Sequence, residues 1–303
     1  MSGESQLVSV GIQCYNRGAG LRRLLEQITA QTYGNLDIVV SDNCSPDPEV
    51  ERVGREFAAA DSRVRYFRQS SNIGANGNYY FVRDALRSDL IMFAHDDDEF
   101  SADFVEKCVS RMASNPEIVL VGTPCTRYLE GKFLSNYQVI DNEGKRTAER
   151  LAELIVLGFK GFDLIEQYAY GLMRQDALPR DYRFTSYHTE FMVWFLLAER
   201  GYICCAEGAH MKKHTTSDQM KSYEKGEWIE PQFRTLPFLH PYAEHEVLAM
   251  FAMLKVIVAS KKLRLAEKWR LFVLLEKSFV AQTIRRIRNQ RRRKRIQSLA
   301  GRT

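Results

Sequence analysis

Apolar runs and helical periodicities alternate along the first hundred residues of the chain. "LVSVGIQCY" is rich in β-branched and apolar side chains and stops at the turn-forming "NRGAG", which is how a buried strand reads. Leu21, Leu24, Leu25 and Ile28 then recur at helical spacing. The alternation continues through the strand-like "LDIVVSD", bounded by "NCSPDP", and the helical "EVERVGREFAAA". After these come the strand-like "VRYFRQ", the Gly/Asn loop "NIGANGN", the helical "YYFVRDALR" and the apolar "DLIMFAHDDD". Repeated strand and helix in so short a length predict an α/β fold, a parallel sheet joined by crossover helices.

Past Phe104 the pattern predicts a helix at "FVEKCVSRMASN", one strand through "EIVLVGTPCTRYLEGK" and a helix at "AERLAELIVLGF". The stretch from 130 to 180 is otherwise weakly patterned. "HTEFMVWFLLAERGY" reads as an apolar helix ending at Gly201, and "YICCAEGAHMKKH" as a closing strand. From about residue 220 the character changes to helices with Trp, Phe and Leu stripes. The expected division is therefore a sheet domain over 1–220 and a helical extension over 221–303, with no internal repeat.

Composition sharpens this only in places. The net charge of +5 hides an asymmetry, because ten Lys or Arg and no Asp or Glu fall at 277–303, leaving the rest of the chain net acidic. The basic character belongs to the tail. There, Leu265, Trp269, Phe272, Val273, Phe279, Val280, Ile284 and Ile287 follow helical intervals beside cationic residues, as in a core-packed helix with a solvated basic end or a peripheral anchor on an anionic membrane surface. Six cysteines without a CxxC pair indicate packed, reduced thiols rather than zinc or a disulfide framework. With neither a secretory leader nor a membrane-length apolar run, the chain reads as cytoplasmic.

Ligands of open parallel sheets bind beyond the carboxyl ends of the strands. That rule collects Tyr15, Asn16 and Arg17 after the first strand, Asp42 and Asn43 after the second, and Asp96, Asp97 and Asp98 after the fourth. Three adjacent carboxylates repel one another, and a hard divalent cation with oxygen ligands relieves that repulsion. A solvated acidic loop is the plainer alternative.

The order of these segments resembles the inverting GT-A glycosyltransferases of family 2, in particular their bacterial surface-polysaccharide members, over residues 6 to 222. "VSVGIQCYNR" is similar to the family's opening "VSVIIPTYNR", "DIVVSDNCSPD" to "EIVVVDDGSTD", "NIGANGN" to its Asn/Gly loop and "FAHDDDEF" to its DxD strand end. "YGLMRQDAL", "TEFMVWFLLAERGY" and "KHTTSDQMKS" resemble later segments, the second of them the acceptor helix. The chain departs from the pattern with Gln13 for Pro, Ser41 for the first of two acids, His95 for the first Asp of DxDD and Thr189 for Glu.

The resemblance implies a Rossmann-like GT-A sheet and a hexosyl- or deoxyhexosyl-transferring enzyme of polysaccharide biosynthesis. It also implies a nucleotide-sugar donor, a saccharide or lipid-linked acceptor, and Mg2+ or Mn2+. Gln13, Tyr15, Asn16, Arg17, Asp42, Asn78, Asp96 and Asp98 would bind the donor, with Tyr15 stacking on the base and Asp42 accepting from a base N–H; Asp42 could instead cap its turn. Asp97, Asp98 and His214 would hold the metal, and "TTSDQMKS" would close as a lid. Glu190, or His188 as the weaker choice, would be the base for acceptor deprotonation, although a first-turn Glu is also ordinary helix chemistry. His210 and His214 stand four apart, but on a strand and its following loop they do not form a zinc pair. Two rivals remain open: a sugar-nucleotide nucleotidyltransferase, and a nucleic-acid binder acting through the tail. An acidic crevice and a basic stretch confined to one end argue against nucleic acid as the partner.

Overall fold

The computed structural model describes residues 6–160, 166–178, 189–218 and 241–300. Strands β1 (Val8–Cys14), β2 (Leu36–Asp42), β3 (Val64–Arg68) and β4 (Leu90–Ala94) alternate with helices α1 (Gly18–Thr29), α2 (Pro48–Ala60) and α3 (Gly74–Ala85), as the pattern predicts. They lie in a seven-stranded sheet of order β10-β6-β9-β4-β1-β2-β3. Among the described strands of this sheet β9 (Leu172–Arg174) alone is antiparallel, wedged between β4 and β6. A second sheet has the order β5-β11-β7-β8.

Two predicted strands each divide into two. "EIVLVGTPCTRYLEGK" becomes β6 (Ile118–Gly122) and β7 (Cys125–Leu129), and the closing strand becomes β10 (Tyr202–Cys205) and β11 (Met211–Thr215). The first member of each pair stays in the large sheet and the second crosses to the small one. Pro124, which has no N–H to give a ladder, stands at the first break; the turn at Gly208, with φ of 85°, stands at the second. The small sheet is completed by β5 (Asp98–Phe100), paired antiparallel to β11, and β8 (Lys132–Asn136), paired antiparallel to β7.

Strand residues alternate between two cores because successive side chains of a strand face opposite ways. Val8, Val10, Ile12, Ile38 and Val40 pack with Leu21, Leu24, Leu25 and Ile28 of α1, with Val50 and Val53 of α2, and with Phe104 and Cys108 of α4 (Phe104–Ala113). Val39, Ile91, Phe93 and Leu120 face the other side. There they meet Val82 of α3, Leu154 and Ile155 of α5 (Thr147–Lys160), and Phe195 and Leu197 of α6 (Thr189–Arg200). Residues of the extension, Met253 and Ile257 of α7 (Pro241–Ala259) and Leu271 and Leu275 of α8 (Leu265–Ala300), join this same cluster. The extension therefore shares its core with α5 and α6.

All six cysteines are free, and five of them are buried. No helix among the described residues is long and apolar enough to cross a membrane.

Candidate active site

The parallel register brings the ends of three strands together. Cys14 pairs with Asp42 and Ile12 with Ala94, so the segments after β1, β2 and β4 leave the sheet side by side. The first turn is made by Asn16 at φ of 59°, a left-handed conformation Asn tolerates better than most residues. Its N–H donates to Ser45 Oγ at 3.0 Å, tying this turn to the one after β2, while Tyr15 stands exposed beside it. Gln13 lies within β1, opposite Ser41.

Asp42 is fully buried. Its Oδ1 accepts from the Ser45 N–H at 2.8 Å, and its Oδ2 accepts from the Tyr66 hydroxyl at 2.9 Å and from Arg68 Nη1. The capping reading is thus realised, and a base N–H reaching Asp42 must share an oxygen already engaged. Burial, then the bond to Asp42, pushes the Tyr66 phenol well above its ordinary value. Arg68, at the end of β3, is a member of this group that sequence reasoning missed, although it too stands at a strand end.

"NIGANGN" is not a free loop, because α3 already begins at Gly74. Asn43 holds it there, accepting from the Ile73 N–H at 2.9 Å and donating to the Gly74 carbonyl at 3.2 Å. Asn78 is buried, with its Oδ1 accepting from Ser41 Oγ at 2.6 Å and its Nδ2 donating to the Ser41 carbonyl at 3.1 Å. Both ends of its amide are thus engaged in fastening α3 to β2.

The carboxylates gather opposite. Arg17 Nη1 donates to Asp96 Oδ1 at 2.9 Å and to Asp97 Oδ2 at 3.1 Å, joining the ends of β1 and β4. α1 starts hard against this turn: a Cβ on Gly20 would lie 2.6 Å from the Asp96 carbonyl oxygen, so only glycine permits the approach. Burial raises the Asp96 carboxyl to about 6, against the pull of Arg17 and with a further push from Asp97. His95, Asp97 and Asp98 each offer a ligand atom, and these atoms lie within 4.8 Å of one another. Two bonds of about 2.4 Å from one cation would span the full 4.8 Å, and the shorter bonds of Mg2+, about 2.0–2.1 Å, would require the ligands to draw closer.

His214 is not part of that group. Along β5 and β11 alternate residues face inward, so Asp98 and Lys213, which pair in register, share the buried side. Glu99, Lys212 and His214 share the other. There His214 Nε2 lies 3.0 Å from Glu99 Oε1, its ring stacks on Tyr128 at 5.3 Å, and Lys212 Nζ donates to Glu99 at 3.0 Å. The period-2 alternation of "MKKHT" is the signal that separates Lys213 from His214.

Lys213 is buried, its Nζ donates to the Tyr170 hydroxyl at 2.6 Å, and it sits over the Tyr170 ring at 4.7 Å. The same hydroxyl lies 3.3 Å from His95 Nδ1. His95 is therefore steadied by two residues absent from the expected set. Of the catalytic candidates, Glu190 is the second residue of α6, and His188 lies outside the described residues, as do residues 219–222 of the expected lid.

Asp141, Glu143 and Cys204 likewise bring their ligand atoms within 4.8 Å of one another. Arg111 already pairs with both acids, and burial pushes the Cys204 thiol up to about 12, so its chemistry is a poor match for a cation.

The model of the glycosyl transferase family 2 matches residues 9–171, a span that runs from β1 through β8 and α5 and stops just before β9. One relative, a GalNAc(5)-diNAcBac-PP-undecaprenol beta-1,3-glucosyltransferase of Campylobacter jejuni, is 32% identical over 93 residues, 30% of either chain. The chain spans from 14% to 42% of the length of the first five curated relatives it matches. Among solved structures, S. aureus TarS 1–349 in complex with UDP-GlcNAc superimposes with a TM-score of 0.61 at 13% identity, covering 91% of this chain and 73% of that one. The mannosyltransferase PcManGT of Pyrobaculum calidifontis, in complex with GDP-Man and Mn2+, gives 0.52 at 14% identity over 94% and 88%. At such identities the two structures speak for the GT-A fold.

Proposed function

The chain belongs to glycosyl transferase family 2, and from that premise we propose that it moves a sugar from a nucleotide-sugar donor to a saccharide or lipid-linked acceptor, with inversion and with help from a divalent metal. The observation that carries the reading is the convergence of Arg17, His95, Asp96, Asp97 and Asp98 at the aligned ends of β1 and β4. An acidic crevice repels a diphosphate unless a cation stands between them.

His95, Asp97 and Asp98 would hold that cation, and an imidazole among carboxylates favours Mn2+ over Mg2+. A cation held there would supply charge stabilisation for the departing nucleoside diphosphate. Tyr170 and Lys213 steady the His95 ring, as outer-shell groups do for a ligating histidine. Arg17 pairs with Asp96 and Asp97; once those carboxylates were neutralised, the same guanidinium would be free to face the diphosphate. Tyr15 stacks on the base, and Asp42 with Arg68 forms the polar edge beside it. Glu190, in the first turn of α6, takes the acceptor hydroxyl proton as the oxygen attacks the anomeric carbon in line with the leaving diphosphate. One displacement with one base inverts the anomeric centre. The positive end of α6 favours an ionised Glu190 before the acceptor arrives.

Two neighbours lend support from outside: TarS and PcManGT are described in complex with UDP-GlcNAc and GDP-Man. The Campylobacter relative's name places its acceptor on an undecaprenol diphosphate, which favours a lipid-linked glycan in polysaccharide assembly here. The test is a thermal-shift and calorimetric screen of UDP-, TDP-, CDP- and GDP-sugars with Mn2+ and with EDTA. Stabilisation by one nucleotide class, lost with EDTA, supports the reading; indifference to every nucleotide sugar removes it.

A further inference from the structure

α8 carries two apolar stripes. One faces the core: Leu271 and Leu275 are buried in the cluster with α5 and α6, and Phe279 packs edge-on against Phe159 at 6.1 Å. The other faces away from it. Leu265 is 84% exposed, Trp269 65%, Val280 49% and Ile284 45%. At 3.6 residues per turn these four, with Phe272, whose ring stacks on Trp269 at 5.6 Å, fall within one arc of the helix. Val258, exposed at the end of α7, accepts from Lys268 Nζ at 2.6 Å and so lies beside the first turn of the stripe. Core packing accounts for the first stripe and leaves the second without a purpose.

Arg270, Lys277, Arg285 and Arg288 are all exposed, and the same helical arithmetic sets them along one flank of the outward arc. Glu276 is the acidic residue within the arc. Over residues 261–303 there are fifteen Lys or Arg and two Glu.

We propose that the outward face of α8 from Leu265 to Ile284 is an interfacial docking surface that lays the helix flat on an anionic lipid bilayer. The face is nearly thirty ångströms long, from about 1.5 Å of rise per residue, and apolar and cationic in parallel strips. A bilayer surface offers acyl chains for the first strip and phosphate headgroups for the second. A second copy of this face brings the same excess of positive charge and is repelled. Nucleic acid satisfies the cations but gives Leu265, Val280 and Ile284 nothing apolar to cover them. The inference stands on this face alone and is independent of the transfer reaction.

The test is flotation of the full chain with neutral phosphatidylcholine vesicles and with vesicles containing phosphatidylglycerol, at low and physiological salt. Wild type is expected to float with the anionic vesicles and much less with the neutral ones. Trp269→Glu with Ile284→Glu is expected to lower that partitioning roughly tenfold or more, and Lys277→Gln with Arg285→Gln and Arg288→Gln to remove its dependence on lipid charge. These side chains are exposed, so the variants should keep the wild-type melting temperature. Lipids brominated in the acyl chain should quench a fluorescence component that is missing from Trp269→Phe. Asp97→Asn should float as wild type, which separates failure here from failure of the proposed chemistry. Flotation of Trp269→Glu/Ile284→Glu equal to wild type overturns the proposal, as does equal binding to both lipids. A dimer dispersed by the same pair of substitutions also overturns it and gives the face to a second copy.

Discussion

Asp97 Oδ2 already holds one cation, the Arg17 guanidinium at 3.1 Å. A metal must take that oxygen from it, and a diphosphate must take the guanidinium. Arg17→Gln is therefore expected to leave Mn2+ binding at least as tight as in wild type while weakening nucleoside diphosphate binding by about tenfold or more, as for loss of a hydrogen bond between charged groups. Calorimetry with Mn2+ alone and then with nucleotide checks both halves, and weaker Mn2+ binding would show that Arg17 organises the carboxylates rather than competing with the ion. Glu190→Gln should keep donor affinity and lower the transfer rate by roughly two to four orders of magnitude; near-normal turnover in a product assay would exclude it as the base. The acidic triplet and Arg17 were legible because strand ends of a parallel sheet converge whatever the side chains are. Tyr170 and Lys213 were not, since they arrive from segments far apart in sequence whose meeting depends on β9 and β11; His95 adjoins the triplet but stood there only as a departure from the DxDD pattern. Asn78 sat in a motif-like segment, but its two bonds to Ser41, which fasten α3 to β2, could not be read there.

The same contrast holds among the elements. β1 through β4 and their helices are local units in which period and turn residues agree, and they formed as the pattern indicated. β9 has three residues between a 3-10 turn on either side, too short for any period to show. The two strands that divided each carry a turn residue inside the segment, Pro124 in one and Gly208 in the other, and which sheet each half joins is decided by pairing partners more than eighty residues away, such as Thr126 with Lys212. α8 hid a second feature, because a wide set of apolar positions at helical spacing does not reveal that two stripes face different ways. Leu275→Ala, which empties a buried site, should lower stability by about 2–5 kcal/mol, whereas Trp269→Ala, on the outward face, should change it by less than about 0.5 kcal/mol. Chemical denaturation of both variants measures the difference. Equal losses would mean that the outward stripe is also packed.

For the whole molecule, the expected boundary near residue 220 marks a change of composition, but the core runs across it: Met253, Ile257, Leu271 and Leu275 lie in one cluster with Leu154 and Phe195. Truncation after residue 240 should therefore expose the apolar side of α5 and α6, giving aggregation or a melting temperature far below that of the full chain. A fully soluble, wild-type-stable fragment would make the extension a separate unit. Family membership decides between transferase and nucleotidyltransferase, which the pattern alone left open, and the fold sets the crevice where parallel strands end. The central claim is that this crevice binds a nucleotide sugar through a metal held at Asp97. Its most direct test is calorimetric titration of the nucleotide sugar selected in the screen into wild type and Asp97→Asn, each with Mn2+ and with EDTA. The account predicts one binding site per chain in wild type with Mn2+, with affinity lower by more than about tenfold, the least expected when a ligand rather than an outer-shell group is lost, after either EDTA or the substitution, and with the fold unchanged by circular dichroism. Donor binding by Asp97→Asn as tight as wild type, or by wild type undiminished in EDTA, would contradict it.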